Sequence, residues 1–277
     1  MTAVRIIGVL NVTPDSFYDG GQFTSVASAL AQATQMLQDG ADIIEIGGES
    51  TGPKSQDVPL DEELRRVIPV VQAIKKAHPD ALLCIDTYKG GVARAALENG
   101  VGMINDVTAG RSDREMFPLV GSSTAKIVLM YAKDPTPRTT IHPTQYDDVV
   151  GSIKDFLRDR RDAAVRSGIP PERIILDPGL GYFVSSDARY SFQILTRLRE
   201  FIDLGCPLLL SPSRKSFLAG PENLQTADRL PGTIAASVIA VLNGATYIRT
   251  HDVKEVRRAC EVVTALPEES RNSPMQD

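Results

Sequence analysis

The sequence predicts a single-domain α/β protein of the (β/α)8 barrel class, and three observations carry that prediction. Short β-branched runs alternate about eight times with longer segments of helical period. The runs are nearly continuous in apolar residues, as strands covered on both faces of a parallel sheet must be. Polar residues gather at the C-terminal end of almost every run, which is the end where barrels build their sites. At 277 residues, 42% hydrophobic and 23% charged, the chain can bury a sizeable core without disulfides or a structural metal. An open doubly wound sheet would show the same alternation, because helix periodicity does not report closure.

In order, the first strand reads "RIIGVL" and ends at Asn11. A long polar, turn-prone connection, "NVTPDSFYDGGQ", follows it, and connections of that length are more often functional than idle. The later strands read "DIIEIG", "LLCID", "GMIND", "KIVLM", "RIILD", "PLLLS" and "TYIRT". The helical segments between them are "VASALAQATQMLQDG", "DEELRRVIPVVQAIKKA", "GGVARAALENG", a weak helix around "SDREMFPLVGSS", "VVGSIKDFLRDRRDAAVRSG", "YSFQILTRLREF" and "GTIAASVIAVLNG". The last is "DVKEVRRACEVVTAL". Several end in glycine ("QDG", "ENG", "RSG", "LNG"), the residue a helix C-terminus favours. The barrel is expected over residues 1–266, with a disordered tail over 267–277.

Composition excludes several function classes. The net charge is −5, from 35 acidic and 30 basic residues without a Lys/Arg block, so nucleic-acid binding is not expected. Cys84, Cys206 and Cys260 form no CxxC and no even framework. The opening "MTAVRIIGVL" does not have the form of a signal peptide, and no apolar stretch approaches a membrane span of ~18 residues. A cytoplasmic, reduced protein away from membranes is expected. "DPGLGY" is not a GxGxxG, "SPSRKS" lacks the glycines of a phosphate loop, and His78, His142 and His251 have no ligand spacing. His78, ahead of Pro79, reads as a surface residue.

The strand ends carry the chemistry. They present Asn11; Glu49 and Ser50; Asp86; Asn105 and Asp106; Met130 and Tyr131; Asp177; Arg214 and Lys215; and Arg249, Thr250 and His251. Any one could be a solvated strand end, but in a barrel all of them converge. Asp86, Asn105 and Asp177 supply acceptors and an amide, a set suited to a flat heterocycle with N–H and NH2 donors along one edge. Arg249 and His251, two apart on one strand, face the same way and suit a phosphate or pyrophosphate. A Mg2+ held mainly by substrate phosphates is compatible with these residues.

Seven motifs in order, "GVLNVTPDSFYDGG", "GADIIEIGGEST", "IDTYKGGVARAA", "INDV", "ILDPGLG", "SRKSF" and "YIRTHDV", give a chain that resembles the dihydropteroate synthase family over most of its length. The resemblance implies condensation of 6-hydroxymethyl-7,8-dihydropterin pyrophosphate with p-aminobenzoate, through SN1-like C–O cleavage. It implies that Asp86, Asn105, Asp177 and Lys215 hold the pterin, with Met130 and Tyr182 in the substrate site. Asn11 matches the residue that helps hold Mg2+, and Arg249 and His251 match the anion-binding pair. Thr51, Pro53, Phe17 and Ser216 match positions that shape the p-aminobenzoate site. Asp19 and Phe17 lie in the connection after the first strand, which would act as a lid. The catalytic apparatus expected from the resemblance is thus Asp19, Phe17, Lys215, Arg249 and His251, in a protein expected to be a homodimer.

The chain departs from the family pattern in several places. Gly52 replaces an arginine, Glu45 stands for an aspartate, and Tyr131 for a histidine. "YFVSSDARYS" replaces the usual residues after "DPGLG", bringing Phe183 beside Tyr182. The chain also starts at the first strand, without the hairpin common in the family. This start and the "GYF" segment are similar to sulfonamide-insensitive members, with Phe183 crowding the space a sulfonamide uses; lineage drift with a normal drug response is the alternative. A non-catalytic pterin-binding paralogue and a methyltetrahydrofolate-dependent methyltransferase are the competing functions.

Overall fold

The computed structural model describes residues 4–12 and 22–266, without the side chains of residues 22–25. Phe17, Asp19 and the expected tail lie outside the described residues. The eight parallel strands are β1 (Arg5–Asn11), β2 (Ile43–Gly47), β3 (Leu82–Asp86), β4 (Met103–Asp106), β5 (Lys126–Met130), β6 (Ile174–Asp177), β7 (Leu209–Leu210) and β8 (Tyr247–Thr250). They pair in the order β6-β5-β4-β3-β2-β1-β8-β7. A bridge between Leu176 and Leu208, and an N–H bond from Leu176 to the Pro207 carbonyl at 2.9 Å, join the two ends. The sheet therefore closes into a barrel, and the open-sheet alternative falls.

The helices are α1 (Gln22–Gln38), α2 (Leu60–Ala77), α3 (Gly90–Glu98), α4 (Met116–Gly121), α5 (Val149–Arg166), α6 (Ala188–Thr196), α7 (Leu230–Leu242) and α8 (Val253–Ala265). α2 shows how periodicity becomes packing: Val67, Val70, Val71 and Ile74 are buried at helical spacing, and Asp61, Glu62 and Glu63 sit in the first turn, where the helix dipole favours acids. The Asp148 side chain caps α5 by accepting from the Val150 N–H at 3.1 Å. α4 is as short as its weak pattern suggests. α6 is shorter than its pattern, because the chain leaves helical geometry at Arg197 and continues as a 3-10 segment over Leu198–Leu204, closed by Gly205 at φ 72°. Among the described residues, no helix is long and apolar enough to cross a membrane.

Every strand sends one residue into an apolar plug inside the barrel: Ile7, Ile43, Cys84, Met103, Val128, Ile175, Leu209 and Tyr247. Alternate residues on the same strands face outward and pack on the helices, as Ile6, Ile44, Ile85, Ile104 and Ile127 do in the main core. Cys84 is thus a small core residue beneath the site, and Cys206 and Cys260 are likewise buried and unpaired.

Candidate active site

The plug determines what stands above it. Side chains along a strand repeat every two residues, so two positions beyond the plug come Glu45, Asp86, Asn105, Met130, Asp177, Ser211 and Arg249 on one interior face. Six strands thus lay polar side chains, and β5 the apolar Met130, in a ring over an apolar floor, with Asn11 and His251 one pleat higher at the rim.

Charge in this ring is closely balanced. Glu45, only 1% exposed, accepts from Arg249 Nε at 2.6 Å and from Asn105 Nδ2 at 3.0 Å, while Cys84 Sγ approaches it at 3.7 Å. Arg249 also donates to Asp86 Oδ2 at 2.9 Å, so one guanidinium bridges two carboxylates. Burial and the Glu45 charge push the Asp86 carboxyl up to about 7, against the pull of Arg249. The Arg249 pKa is raised: burial opposes its charge, but Glu45 and Asp86 outweigh it. Across the ring, Asp177 is buried and its Oδ1 accepts the Gly179 N–H at 2.8 Å; burial raises its pKa and Lys215 lowers it. Gly179 makes that turn possible, with φ at 73° and the Tyr131 carbonyl 2.6 Å from where a Cβ would stand. Burial brings Lys215 down to about 8; its ammonium donates to the Leu180 carbonyl at 3.3 Å and lies 5.1 Å from the centre of the Phe183 ring.

One atom lacks a partner within this set. Asn105 spends its amide nitrogen on Glu45, and its Oδ1 is buried without a hydrogen bond. An unsatisfied buried acceptor costs about 1–3 kcal/mol, and Asn105 stands in the same ring of strand-end residues as Asp86 and Asp177.

Arg249 and His251 both stand at the mouth, but they do not form a free cationic pair. Arg249 is engaged with Glu45 and Asp86, and its Nη1 reaches Ser211 Oγ at 3.4 Å. His251 keeps an exposed edge, while its Nδ1 lies 3.0 Å from Ser213 Oγ and its Nε2 3.5 Å from Asn11 Nδ2. Desolvation and the Arg249 charge bring its pKa down to about 4, so the imidazole is neutral at pH 7. Met130 is buried in a small cluster with Val107 and Ala132, against Tyr88 and Phe183. Ser216 sits beside Gly181, its Oγ 3.4 Å from where a Cβ there would be. Thr51, Pro53 and Tyr182 are half-buried in the loops after β2 and β6.

Other polar strand ends are structural. Asp106 is fully buried and accepts from the Thr108 N–H and hydroxyl and from the Gly110 N–H, closing its own turn. Arg214 pairs outward with Asp252 at 2.7 Å. His78 is half-buried and bonds Thr34 Oγ1 at 2.8 Å, which ties the end of α2 to α1 and corrects its reading as a plain surface residue. Glu45 and Ser211 are ring members not among the expected site residues, although a glutamate inside "DIIEIG" is itself a signal, since charge in a buried strand demands a partner. Ser211 and Ser213 carried no comparable signal.

Comparison with known proteins agrees with this geometry. Residues 7–251 match the family described as "Pterin binding enzyme". The dihydropteroate synthase of Synechocystis sp. is 40% identical over 262 residues, covering 94% of this chain and 89% of its own. A structure of the Xanthomonas albilineans enzyme with 4-aminobenzoic acid superposes with a TM-score of 0.87 at 38% identity, covering 96% of this chain and 94% of that one. Another from the same organism, in complex with 7,8-dihydropteroate, gives 0.83 at 36% identity over 96% of this chain and 95% of that one. On its sequence, its closed barrel and its polar ring alike, the chain belongs to the dihydropteroate synthase family of pterin binding enzymes.

Proposed function

We propose that this chain condenses 6-hydroxymethyl-7,8-dihydropterin pyrophosphate with p-aminobenzoate, releasing 7,8-dihydropteroate and pyrophosphate. The observation that carries the reading is the incomplete polar ring, in which Asn105 Oδ1 is left without a partner at the same level as Asp86 and as Asp177, whose charge Lys215 offsets. A pterin edge bears the N–H and NH2 donors that Asn105 Oδ1 and the carboxylates lack, and its ring acceptors suit the Lys215 ammonium.

The residues then divide the reaction between them. Asp86, Asn105, Asp177 and Lys215 orient the pterin, with Met130 and Tyr182 lining its site. The C–O bond to pyrophosphate breaks with its electron pair leaving on oxygen, and the amine lone pair of p-aminobenzoate closes the new C–N bond before the amine loses its proton. Arg249, at the mouth on the strand end that leads to His251, is the cation assigned to the departing charge. A pterin that engages Asp86 competes for the carboxylate holding one side of that guanidinium, which frees it to turn toward the pyrophosphate. His251, neutral, serves as a hydrogen-bonding group there. Thr51, Pro53 and Ser216 shape the p-aminobenzoate side. Phe17 and Asp19, outside the described residues, would complete a cover that keeps water from the cation.

Mg2+ fits as a partner of the substrate. Asn11 turns its amide nitrogen to His251, and the oxygen is a hard donor suited to an ion held mostly by phosphate oxygens. Bound there, the ion would offset charge on the pyrophosphate. We also propose a cytoplasmic homodimer, supported by the apolar groove between α6 and α7 around Phe192, Phe217 and Ile239. Phe183, over Lys215, supports the sulfonamide-insensitive reading.

The test is pyrophosphate release from the pterin pyrophosphate, with Mg2+ and with or without p-aminobenzoate and sulfamethoxazole. Release that requires p-aminobenzoate is the expected result. Pterin binding without turnover would leave the non-catalytic paralogue, and methyl transfer from methyltetrahydrofolate the methyltransferase.

A further inference from the structure

The loop after β5, residues 131–148, crosses the barrel mouth and touches the two loops on the proposed p-aminobenzoate side. Its Arg138 lies over the loop after β2. There the guanidinium pairs with Glu49 and Asp57, donates through Nη2 to the Gln56 carbonyl at 2.6 Å and through Nε to the Ser55 carbonyl at 3.2 Å. The next residue reaches both ways: the Thr139 N–H donates to the Thr51 carbonyl at 3.1 Å, and its hydroxyl donates to the Tyr182 carbonyl at 2.7 Å. The Lys133 N–H donates to the Phe183 carbonyl at 2.9 Å. One short stretch therefore fixes Thr51, in the loop after β2, relative to Tyr182 and Phe183, in the loop after β6.

The far end of the clasp is anchored. Glu49 is 3% exposed at its side chain, accepts from Tyr88 OH at 2.9 Å and pairs with Lys89, which also holds Glu63 and donates to the Val58 carbonyl at 2.7 Å. Arg138 has four partners, two carboxylates and two backbone carbonyls, all on the β2 loop, so its role is to hold that loop. A planar five-donor fork can do this where an ammonium cannot.

From this geometry we propose that Arg138 is a positioning residue for p-aminobenzoate: it clamps the Thr51–Asp57 loop across to the Tyr182–Phe183 wall and so sets the width of the aryl-amine site. The proposal rests on the function proposed above and deepens it. Where Gly52 replaces the family's usual arginine, a latch from another loop also accounts for how the segment holds its shape.

The experiment compares the full chain with Arg138→Ala, Arg138→Lys and Asp57→Asn. Asp57→Asn is the mild variant, since that side chain is 86% exposed and its loss buries no charge. Steady-state pyrophosphate release gives KM for each substrate, and amide hydrogen exchange follows residues 50–59. Arg138→Ala should raise KM for p-aminobenzoate about tenfold or more and leave KM for the pterin pyrophosphate within about twofold, a misplaced wall being felt only by the ligand against it. Its 50–59 segment should exchange faster, with Asp57→Asn and Arg138→Lys intermediate in both readouts. Unchanged exchange at 50–59, or equal losses for both substrates, would overturn the clasp. Exchange is read without turnover, so a wild-type chain that releases no pyrophosphate would refute the proposed function while the exchange result still decides the clasp.

Discussion

Glu45→Gln tests the charge balance of the ring. The substitution keeps the shape and an acceptor for Asn105 Nδ2, but removes one of the two carboxylates on Arg249. Breaking a buried ion pair by removing one partner costs about 3–5 kcal/mol; since Arg249 retains Asp86 at 2.9 Å, the lower end, about 3 kcal/mol, is expected. For a domain of this size each kcal/mol moves Tm by roughly 2–4 °C, so calorimetry should show a loss of about 6–12 °C at pH 7.5. The same variant predicts a pH effect. The folded pKa of Asp86, about 7, lies above its ordinary 3.8. Between those values the folded state holds a proton that the unfolded state has released, so this group makes stability fall as pH rises through the window. After burial, the neighbouring Glu45 charge does most to raise it, so Glu45→Gln should lower the folded pKa and shrink the pH 4–7 decline. A Tm within 2 °C of wild type together with an unchanged pH profile would refute the account of the ring.

Four further predictions follow from single contacts. Asn105→Leu removes the orphaned oxygen together with its donor to Glu45, and should weaken pterin binding by titration calorimetry at least tenfold, the scale of a lost buried hydrogen bond of about 1.4 kcal/mol or more; unchanged affinity would refute the acceptor role. Lys215→Met should abolish a loss of pterin affinity that sets in as pH rises past about 8, where the wild-type ammonium deprotonates. Phe183→Gly should increase sulfamethoxazole inhibition, and an unchanged inhibition constant would refute its crowding role. Gly52→Arg meets only Ser50 Oγ at 3.5 Å from its Cβ, so it should fold with an unshifted Tm and lower KM for the pterin pyrophosphate.

The barrel was legible because periodicity and burial coincide: all eight apolar runs became strands, and the weak segment around Met116 became the shortest helix. Closure was not legible, because it depends on Leu176 meeting Leu208 through backbone groups that any sequence possesses. The ring residues Asp86, Asn105 and Asp177 could be read from their strand ends. The charge state of the rim could not. Arg249 and His251 sit two apart as an anion site would have them, but only the fold brings Glu45 to the first and desolvates the second. The Arg138 clasp was hidden for a related reason: its partners lie 81 to 89 residues away, and nothing local marks an arginine in "DPTPRTT" as reaching them.

The join between β6 and β7 has a thermodynamic meaning. Everywhere else the barrel is laced by runs of paired residues, but here a single bridge and one neighbouring bond close it. Asp177 ends β6 and Lys215 lies just past β7, so they stand on either bank of that seam. A ligand held by both is a stitch across the weakest line of the cylinder. Occupancy then does more than fill a pocket: it adds its binding free energy where the cylinder would otherwise part first, and saturating pterin should slow amide exchange along both bordering strands, well beyond the residues it touches.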